Sequence, residues 1–136
     1  MTLHTKLCDM LDIEHPIMLA GMGGVSYAEL CAAMCNAGGY GVLGMAGTTP
    51  DFIESQMKRV RELTDRPFGV DLLAASPESL EASVDVIINN GADSFVAGLG
   101  VPMPIMDRLK KAGVKVMVVG GAVKHAIKAE QAGCDA

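Results

Sequence analysis

Glycines that close helical stretches recur along this chain at an interval that constrains the fold more than any other feature. Gly91, Gly113 and Gly133 lie 22 and 20 residues apart, and each follows a stretch of helical length. Glycine at such a position readily adopts the left-handed conformation that ends a helix. Gly38 occupies the same kind of position earlier in the chain. An interval this short fits only a compact strand-plus-helix unit, so the sequence predicts an internal βα repeat.

Short β-rich runs alternate with amphipathic stretches over the whole chain. The predicted strands cover residues 17–20, 41–44, 68–73, 94–97 and 114–119, and the predicted helices cover residues 26–36, 50–63, 77–89, 104–111 and 123–131. We expect three of these helices to begin at capping residues, namely Ser26, Thr49 before Pro50, and Ser76 before Pro77. This alternation predicts an α/β fold with parallel strands joined by right-handed crossovers. It leaves two architectures open, a doubly wound open sheet and a (β/α)8 barrel.

Length and composition exclude several classes of protein. The 136 residues are 50% hydrophobic and 20% charged, which predicts one folded domain or part of one and argues against disorder. The net charge of −5, with scattered basic residues, argues against a nucleic-acid partner. Uncharged stretches are too short for a membrane span, and the N-terminus lacks an apolar signal core, so we expect a cytoplasmic protein.

The four cysteines lack the paired spacing of a zinc or redox motif. Cys31 and Cys35 would share one face of a helix and so could in principle hold a metal ion, but no other ligand lies nearby in the sequence. We therefore predict buried thiols and no metal site.

The first glycine-rich segment decides between the two architectures. It runs from Gly21 to Ser26, with serine where a dinucleotide-binding turn requires its third small residue. The acidic residue expected after the second strand is also missing, since residues 41–49 contain none, and no Walker A motif is present. A Rossmann site is therefore excluded, which favours the barrel.

Glycine follows four of the five predicted strands. In a barrel all these positions converge on the mouth at the carboxyl ends of the strands, where sites are built. Glycines also serve ordinary βα turns, and for any single pair both interpretations remain open. Together they indicate that a broad planar cofactor approaches bare backbone there. The glycines concerned are Gly21, Gly23, Gly24, Gly44, Gly47, Gly98, Gly100, Gly120 and Gly121.

Three blocks of sequence resemble the nitronate monooxygenase family, formerly called 2-nitropropane dioxygenases. They are residues 15–25 (HPIMLAGMGGV), residues 36–41 (NAGGYG) and residues 63–71 (LTDRPFGVD), and the later residues 109–116 and 132–136 fit the same pattern. The chain is also similar to the flavin-dependent enoyl-acyl carrier protein reductases. Both groups are FMN-containing TIM barrels, so the resemblance implies an FMN cofactor.

The resemblance also assigns site residues. Gly21, Met22 and Gly23 match the segment that contacts the flavin ring through its backbone. Asp71 matches a position usually occupied by asparagine near the ring or ribityl chain, where a carboxylate accepts hydrogen bonds but cannot donate them. We expect it to accept from the flavin N3–H or a ribityl hydroxyl. A lysine of some members corresponds to Val119, so no cation is expected there.

A complete barrel takes about 250 residues. We therefore expect residues 1–136 to form about five βα units of an FMN-dependent TIM-barrel domain, ending where a sixth strand begins. The family's catalytic histidine and FMN phosphate loops are expected beyond residue 136, so no catalytic residue is assigned. His4, His15 and His125 are not substitutes, because none falls at the end of a predicted strand.

The function implied by the resemblance is oxidation of alkyl nitronates to carbonyl compounds with O2, although this chain alone is expected to be inactive. Two alternatives remain. One is NAD(P)H-dependent reduction of enoyl thioesters or quinones, and the other is a non-catalytic partial barrel that self-associates through its open sheet edges.

Overall fold

The computed structural model describes residues 3–136, in which helices and strands alternate as predicted. The described part contains six α-helices, four strands and one short 3₁₀ helix. In chain order they are α1 (Lys6–Leu11), α2 (Ala28–Asn36), β1 (Gly41–Gly44), α3 (Pro50–Leu63), β2 (Phe68–Leu73), α4 (Pro77–Asn89), β3 (Ser94–Gly98), the 3₁₀ helix (Met103–Ile105), α5 (Met106–Lys111), β4 (Lys115–Val118) and α6 (Val123–Gln131).

The strands form one parallel sheet in the order β1-β2-β3-β4. Each strand lies beside its neighbour in sequence, and each crossover contains a helix. The far edge of β4 is met by the last residues of the chain, since the Asp135 N–H donates to the Val116 carbonyl at 2.7 Å and the Val118 N–H donates to the Ala136 carbonyl at 2.9 Å. The α/β prediction is confirmed.

The two faces of the sheet are covered differently. Helices α2 to α5 pack on the outer face, where side chains such as Val70 and Phe95 are fully buried. Burying one such side chain contributes roughly 1.5–3 kcal/mol. On the inner face, Leu11 of the short helix α1 packs with Val42 and Met117. The inner face is therefore covered by α1 toward one end, and the carboxyl ends of the strands remain open.

Helix ends follow the sequence signals more faithfully than helix starts. Gly38, Gly91, Gly113 and Gly133 all have φ between 71° and 86°, which confirms the left-handed closures. The hydroxyl of Thr49 accepts from the Phe52 N–H at 3.3 Å, so this cap is confirmed.

The other two predicted starts are wrong in detail. The side chain of Ser76 makes no capping hydrogen bond, although the helix does begin at Pro77. Helix α2 begins at Ala28, because the Ser26 hydroxyl is engaged by the backbone of Met22 instead.

Three elements also differ from the prediction. The predicted strand at residues 17–20 pairs with the sheet only through a single bridge between Met18 and Tyr40, because the chain turns away into the glycine loop directly afterwards. The predicted helix 104–111 is split into the 3₁₀ turn and α5. Helix α1 was not predicted, since its six residues are too few to show a clear apolar period.

Polar groups at the amino ends of the strands bond to one another. The Arg61 guanidinium donates to the Arg66 carbonyl at 2.8 Å, to the Gly91 carbonyl at 2.9 Å and to Asp93 Oδ2 at 3.2 Å. It also lies 4.5 Å from the centroid of the Phe68 ring, a cation–π contact. At this end of the sheet the protein's own polar groups satisfy one another, beside a cavity of about 440 Å³ that Arg61 and Asp93 help to line.

Within residues 3–136, no helix combines the length and apolarity that crossing a membrane requires.

Candidate functional site

A cavity of about 1000 Å³ opens at the carboxyl ends of the strands. Its walls are mostly apolar or bare backbone, and they come from the predicted first strand, β2, β3, β4 and α6. The lining residues are Met18, Leu19, Ala20, Gly21, Ala46, Asp71, Leu73, Val96, Gly98, Leu99, Gly100, Val101, Val118, Val119, Gly121, His125 and Lys128. Two predicted site residues, Gly21 and Asp71, are thus brought together here.

Gly21 and Asp71 pack directly against each other. A Cβ placed on Gly21 would lie 2.6 Å from both Cγ and Oδ2 of Asp71, so a side chain at position 21 would displace the carboxyl group. Gly98, on the other side, would bring a Cβ to 4.0 Å from Asp71 Oδ1. The carboxyl group therefore stands between two glycines whose missing side chains leave it room at the cavity wall.

Asp71 is a buried acid without a partner. The residue is 8% exposed, and its carboxyl group forms no hydrogen bond or ion pair with any other of residues 3–136. Burial alone raises the pKa of Asp71 to about 6, because removing a carboxylate from water disfavours its charged form. An uncompensated carboxyl facing a cavity is costly for the fold, which is a mark of functional positions.

The loop that contains Met22 and Gly23 is held against the end of β1. The Met22 N–H donates to Ser26 Oγ at 2.7 Å, and the Ser26 hydroxyl donates to the Met22 carbonyl at 3.1 Å. Gly44 allows this approach, since a Cβ there would lie 2.5 Å from the Met22 carbonyl oxygen. The backbone polar groups of Met22 are therefore already used. Neither Met22 nor Gly23 lines the cavity, although Met22 is 38% exposed beside it.

Gly21 and Gly23 have free backbone donors. Within residues 3–136, neither backbone N–H donates to a protein atom. These two groups, unlike those of Met22, remain available to a ligand at this edge of the sheet.

Leu99 is the strained residue of the site. It has φ of 59° in the loop after β3, a conformation that costs a leucine roughly 1–2 kcal/mol, and its side chain is 71% exposed. Sequence reasoning missed it, because nothing in a leucine between two glycines signals which of the three residues takes the left-handed conformation.

Two cavity residues on α6 were also missed. His125 and Lys128 line the cavity one helical turn apart, and His125 Nδ1 accepts from the Gly121 N–H at 3.3 Å. The sequence placed His125 in a helix but gave no sign that this helix turn faces the strand ends. Val119, at the position where some family members have a lysine, lines the same wall. The cationic side chain at this cavity is instead that of Lys128 on α6.

The remaining candidates lie elsewhere. Cys31 and Cys35 are buried behind β1, where a Cβ on Gly41 would lie 2.7 Å from each sulfur. Residues 3–136 contain no cluster of three or more His, Cys, Asp or Glu side chains arranged to hold a metal ion. His4 Nε2 pairs with Asp9 on the surface at 2.7 Å.

Comparison with known proteins identifies the family of this chain. The family model described as nitronate monooxygenase matches residues 4–90, which include Gly21, Met22, Gly23 and Asp71. This chain belongs to the nitronate monooxygenase family. The recognition made from the three sequence blocks is confirmed.

Two relatives of this family member illustrate its similarities. The chain is 38% identical over 136 residues to the (3aS,4S,5R,7aS)-5-hydroxy-7a-methyl-1-oxo-octahydro-1H-indene-4-carboxyl-CoA dehydrogenase of Mycobacterium tuberculosis, covering 100% of this chain and 38% of that protein. It is 28% identical over 170 residues to a probable nitronate monooxygenase of Staphylococcus saprophyticus, covering 99% of this chain and 48% of that protein. The chain thus spans less than half the length of these relatives.

Solved structures agree with the fold. FabK from Thermotoga maritima superimposes with a TM-score of 0.92 and 35% identity, over 98% of this chain and 43% of that one. Nitroalkane oxidase from Streptomyces ansochromogenes gives a TM-score of 0.83 and 30% identity, over 96% and 47%. The parallel sheet of this family member is therefore part of a TIM barrel, as predicted.

Proposed function

We propose that this chain forms one wall of the FMN site of an oxidoreductase. The observation that carries the proposal is the glycine-edged cavity at the carboxyl ends of the strands, with the unpartnered carboxyl of Asp71 in its wall. The nitronate monooxygenase and FabK families are flavoproteins, which supports a flavin, and FMN is the form we propose.

The residues present fit a flat ring with polar edges. Gly21 and Gly98 leave backbone exposed where side chains would block a ring, and Asp71 supplies a hydrogen-bond acceptor. In the proposed site the Gly21 and Gly23 N–H groups donate to the ring, and the Met22 side chain covers its edge. When bound, FMN would accept the two electrons that leave the substrate.

This chain's own share of the reaction is to position the ring and exclude water from one side of it. We propose that the base that removes a substrate proton and the groups that hold the FMN phosphate are supplied from outside these residues. On this proposal the 136-residue chain alone binds FMN weakly and does not turn over.

The substrate we propose is a coenzyme A or related acyl thioester. This is supported by the higher identity to the carboxyl-CoA dehydrogenases, 38% and 36%, than to the probable nitronate monooxygenases, 28% to 30%. The second candidate, supported by the family model and by the nitroalkane oxidase structure, is oxidation of an alkyl nitronate with O2 as electron acceptor.

Titration with FMN, followed by quenching of its fluorescence, tests the site. We expect weak, saturable binding that is lost in Gly23→Leu, because a side chain there blocks the approach to the backbone. A Cβ on Gly23 meets only the Ala46 carbonyl at 3.8 Å, so the variant should fold. Val25→Leu is the control, since Val25 is 58% exposed in the same loop and its N–H already donates to the Met22 carbonyl at 3.1 Å. Equal FMN affinity of both variants would contradict the proposed site.

Flavin reduction in the protein purified from its own cells then tests the substrate. Anaerobic bleaching of the flavin by an acyl-CoA supports the thioester, whereas oxygen uptake with a nitronate supports the second candidate. Reduction by NADH or NADPH would identify the electron donor of a reductase.

A non-catalytic role through self-association is the candidate of another class. It is supported by exposed apolar side chains beside the open cavity, Val119 at 63% and Val123 at 77% exposure. Analytical ultracentrifugation of the protein over a range of concentrations tests self-association. A monomer of 14.2 kDa at all concentrations would contradict this candidate.

A further inference from the structure

The environment of Asp71 supplies no counter-charge from the strands around it. Its side chain projects from the inner face of β2, where Asp71 is in register with Gly44 of β1 and Val96 of β3. Gly21 closes the third side. None of these neighbours carries an ionisable or hydrogen-bonding side chain, so the carboxyl group can be satisfied only by water or by a ligand in the cavity.

The other ionisable groups at the cavity come from one helix. Of the cavity-lining residues outside helix α6, Asp71 alone has an ionisable side chain among residues 3–136. Helix α6 contributes His125 and Lys128. Any proton-linked behaviour of this cavity therefore comes from Asp71 or from these two residues.

The two protonation states of Asp71 offer a ligand opposite chemistry. An ionised carboxylate only accepts hydrogen bonds, and a protonated carboxyl donates one. A hydrogen bond to a charged acceptor in a site with little water is about twice as strong as a neutral one. A protonated carboxyl still accepts through its neutral carbonyl oxygen, so a ring that presents an N–H to this wall is bound more tightly, but not exclusively, by the ionised form.

We propose that ionised Asp71 accepts a hydrogen bond from the imide N–H of the ring bound in this cavity, so that protonation of Asp71 weakens binding of the ring. The inference rests on the proposed flavin site and adds its regulation by protons. An asparagine in the same place would bind the ring without any dependence on pH, because its amide keeps both its acceptor and its donors.

Burial sets the pH range in which Asp71 changes its charge. Because the pKa of Asp71 is raised to about 6, the unliganded site changes charge near neutral pH rather than in strong acid. By linkage, a ligand that binds the ionised form lowers that pKa again.

Riboflavin binding measured from about pH 5 to about pH 8 tests the inference. Riboflavin is the probe because it carries no phosphate group whose own titration would enter the profile. With a pKa of about 6, roughly one tenth of Asp71 is ionised at pH 5, so the dissociation constant should be higher there than at pH 8, by up to about tenfold. In Asp71→Asn the two dissociation constants should be equal.

Variants at two other positions test whether Asp71 is the residue that causes the pH dependence. His125→Gln removes the imidazole that lines the same cavity, and Asp51→Asn changes an exposed aspartate of α3 outside the cavity. Both should keep the pH dependence of the unaltered protein. A second probe on the unaltered protein, 3-methylriboflavin, lacks the imide N–H and should bind weakly with no pH dependence, whether or not Asp71→Asn folds.

The outcomes separate this inference from the proposed function. Riboflavin binding with the same pH profile in the unaltered protein and in Asp71→Asn would overturn the inference and leave the flavin site standing. Loss of the profile in His125→Gln would assign the switch to His125 and also overturn it. No riboflavin binding at any pH would overturn the flavin site itself, and the inference with it.

Discussion

Two aspartates at opposite ends of the same sheet are treated in opposite ways. Asp93, at the amino end, accepts from the Phe68 N–H at 3.0 Å and from Arg61 at 3.2 Å. Asp71, toward the carboxyl end, is more deeply buried and has no partner within residues 3–136. At the amino end the polar side chains therefore satisfy one another. At the carboxyl end the Asp71 carboxyl group has no hydrogen-bond partner among the described residues.

This difference separates stability from binding. At the amino ends, hydrogen bonds between the protein's own groups lower the free energy of the folded state. At the carboxyl ends, bare glycine backbone, a strained Leu99 and an unpaired acid all cost stability unless something else contacts them. A ligand that contacts these groups can therefore lower the free energy of the folded state.

The largest expected effect is at the amino end. Arg61→Ala removes hydrogen bonds to two carbonyls and to Asp93, together with the Phe68 contact, and should lower the free energy of unfolding by about 3 kcal/mol. Urea denaturation measures it. Arg59→Ala on the same helix is the control, because its pairs with Glu29 and Glu62 are exposed and should cost under about 1 kcal/mol. Equal losses of stability in Arg61→Ala and Arg59→Ala would show that the Arg61 contacts at the amino end contribute no more than exposed ion pairs do.

Asp71→Asn should have the opposite sign and an intermediate size. The pKa of Asp71 rises from 3.8 to about 6 on folding, so the folded state binds more protons and stability falls as pH rises from about 4 to about 6. The variant removes this loss, and we expect it to be more stable by about 2 kcal/mol at pH 7 and equally stable near pH 4.

Urea denaturation of Asp71→Asn at the two pH values measures this change, with Asp51→Asn as the exposed control. A gain that is the same at both pH values would show that the charge of Asp71 is not its cause.

The smallest effect concerns backbone strain. Leu99→Gly relieves the left-handed conformation at φ 59° and should stabilise the protein by up to about 1 kcal/mol. Val25→Gly is the matched case, since Val25 is also exposed but lies outside the left-handed region, and it should destabilise by a similar amount. Asp12, the positive-φ residue that closes α1, needs no such relief because aspartate tolerates this conformation. The thermal unfolding temperatures of Leu99→Gly and Val25→Gly test this prediction. If both variants unfold at a lower temperature than the unaltered protein, the conformation of Leu99 is not strained.

Periodicity and glycine position predicted most of the fold. The left-handed closures at Gly38, Gly91, Gly113 and Gly133 were correct, because a helix end is a local event that a single residue decides. The predicted strand at residues 17–20 was reduced to one bridge at Met18, because pairing depends on a neighbouring strand rather than on local composition. Asp71 could be named from its place in the family's pattern, and its role there stays a prediction.

The amino-acid sequence by itself determined the βα repeat, the parallel sheet and the glycines at the strand ends, since all of these depend on local conformation and short spacings. The family was recognised separately, from the resemblance of three sequence blocks. Only the tertiary structure decided that Gly21 and Gly98 flank Asp71, that Ser26 occupies the backbone of Met22, and that His125 and Lys128 reach the same cavity. These contacts join residues that are far apart in the chain or on opposite sides of a turn. Burial and the absence of a partner, which raise the pKa of Asp71, are properties of such packing and have no signal in the sequence.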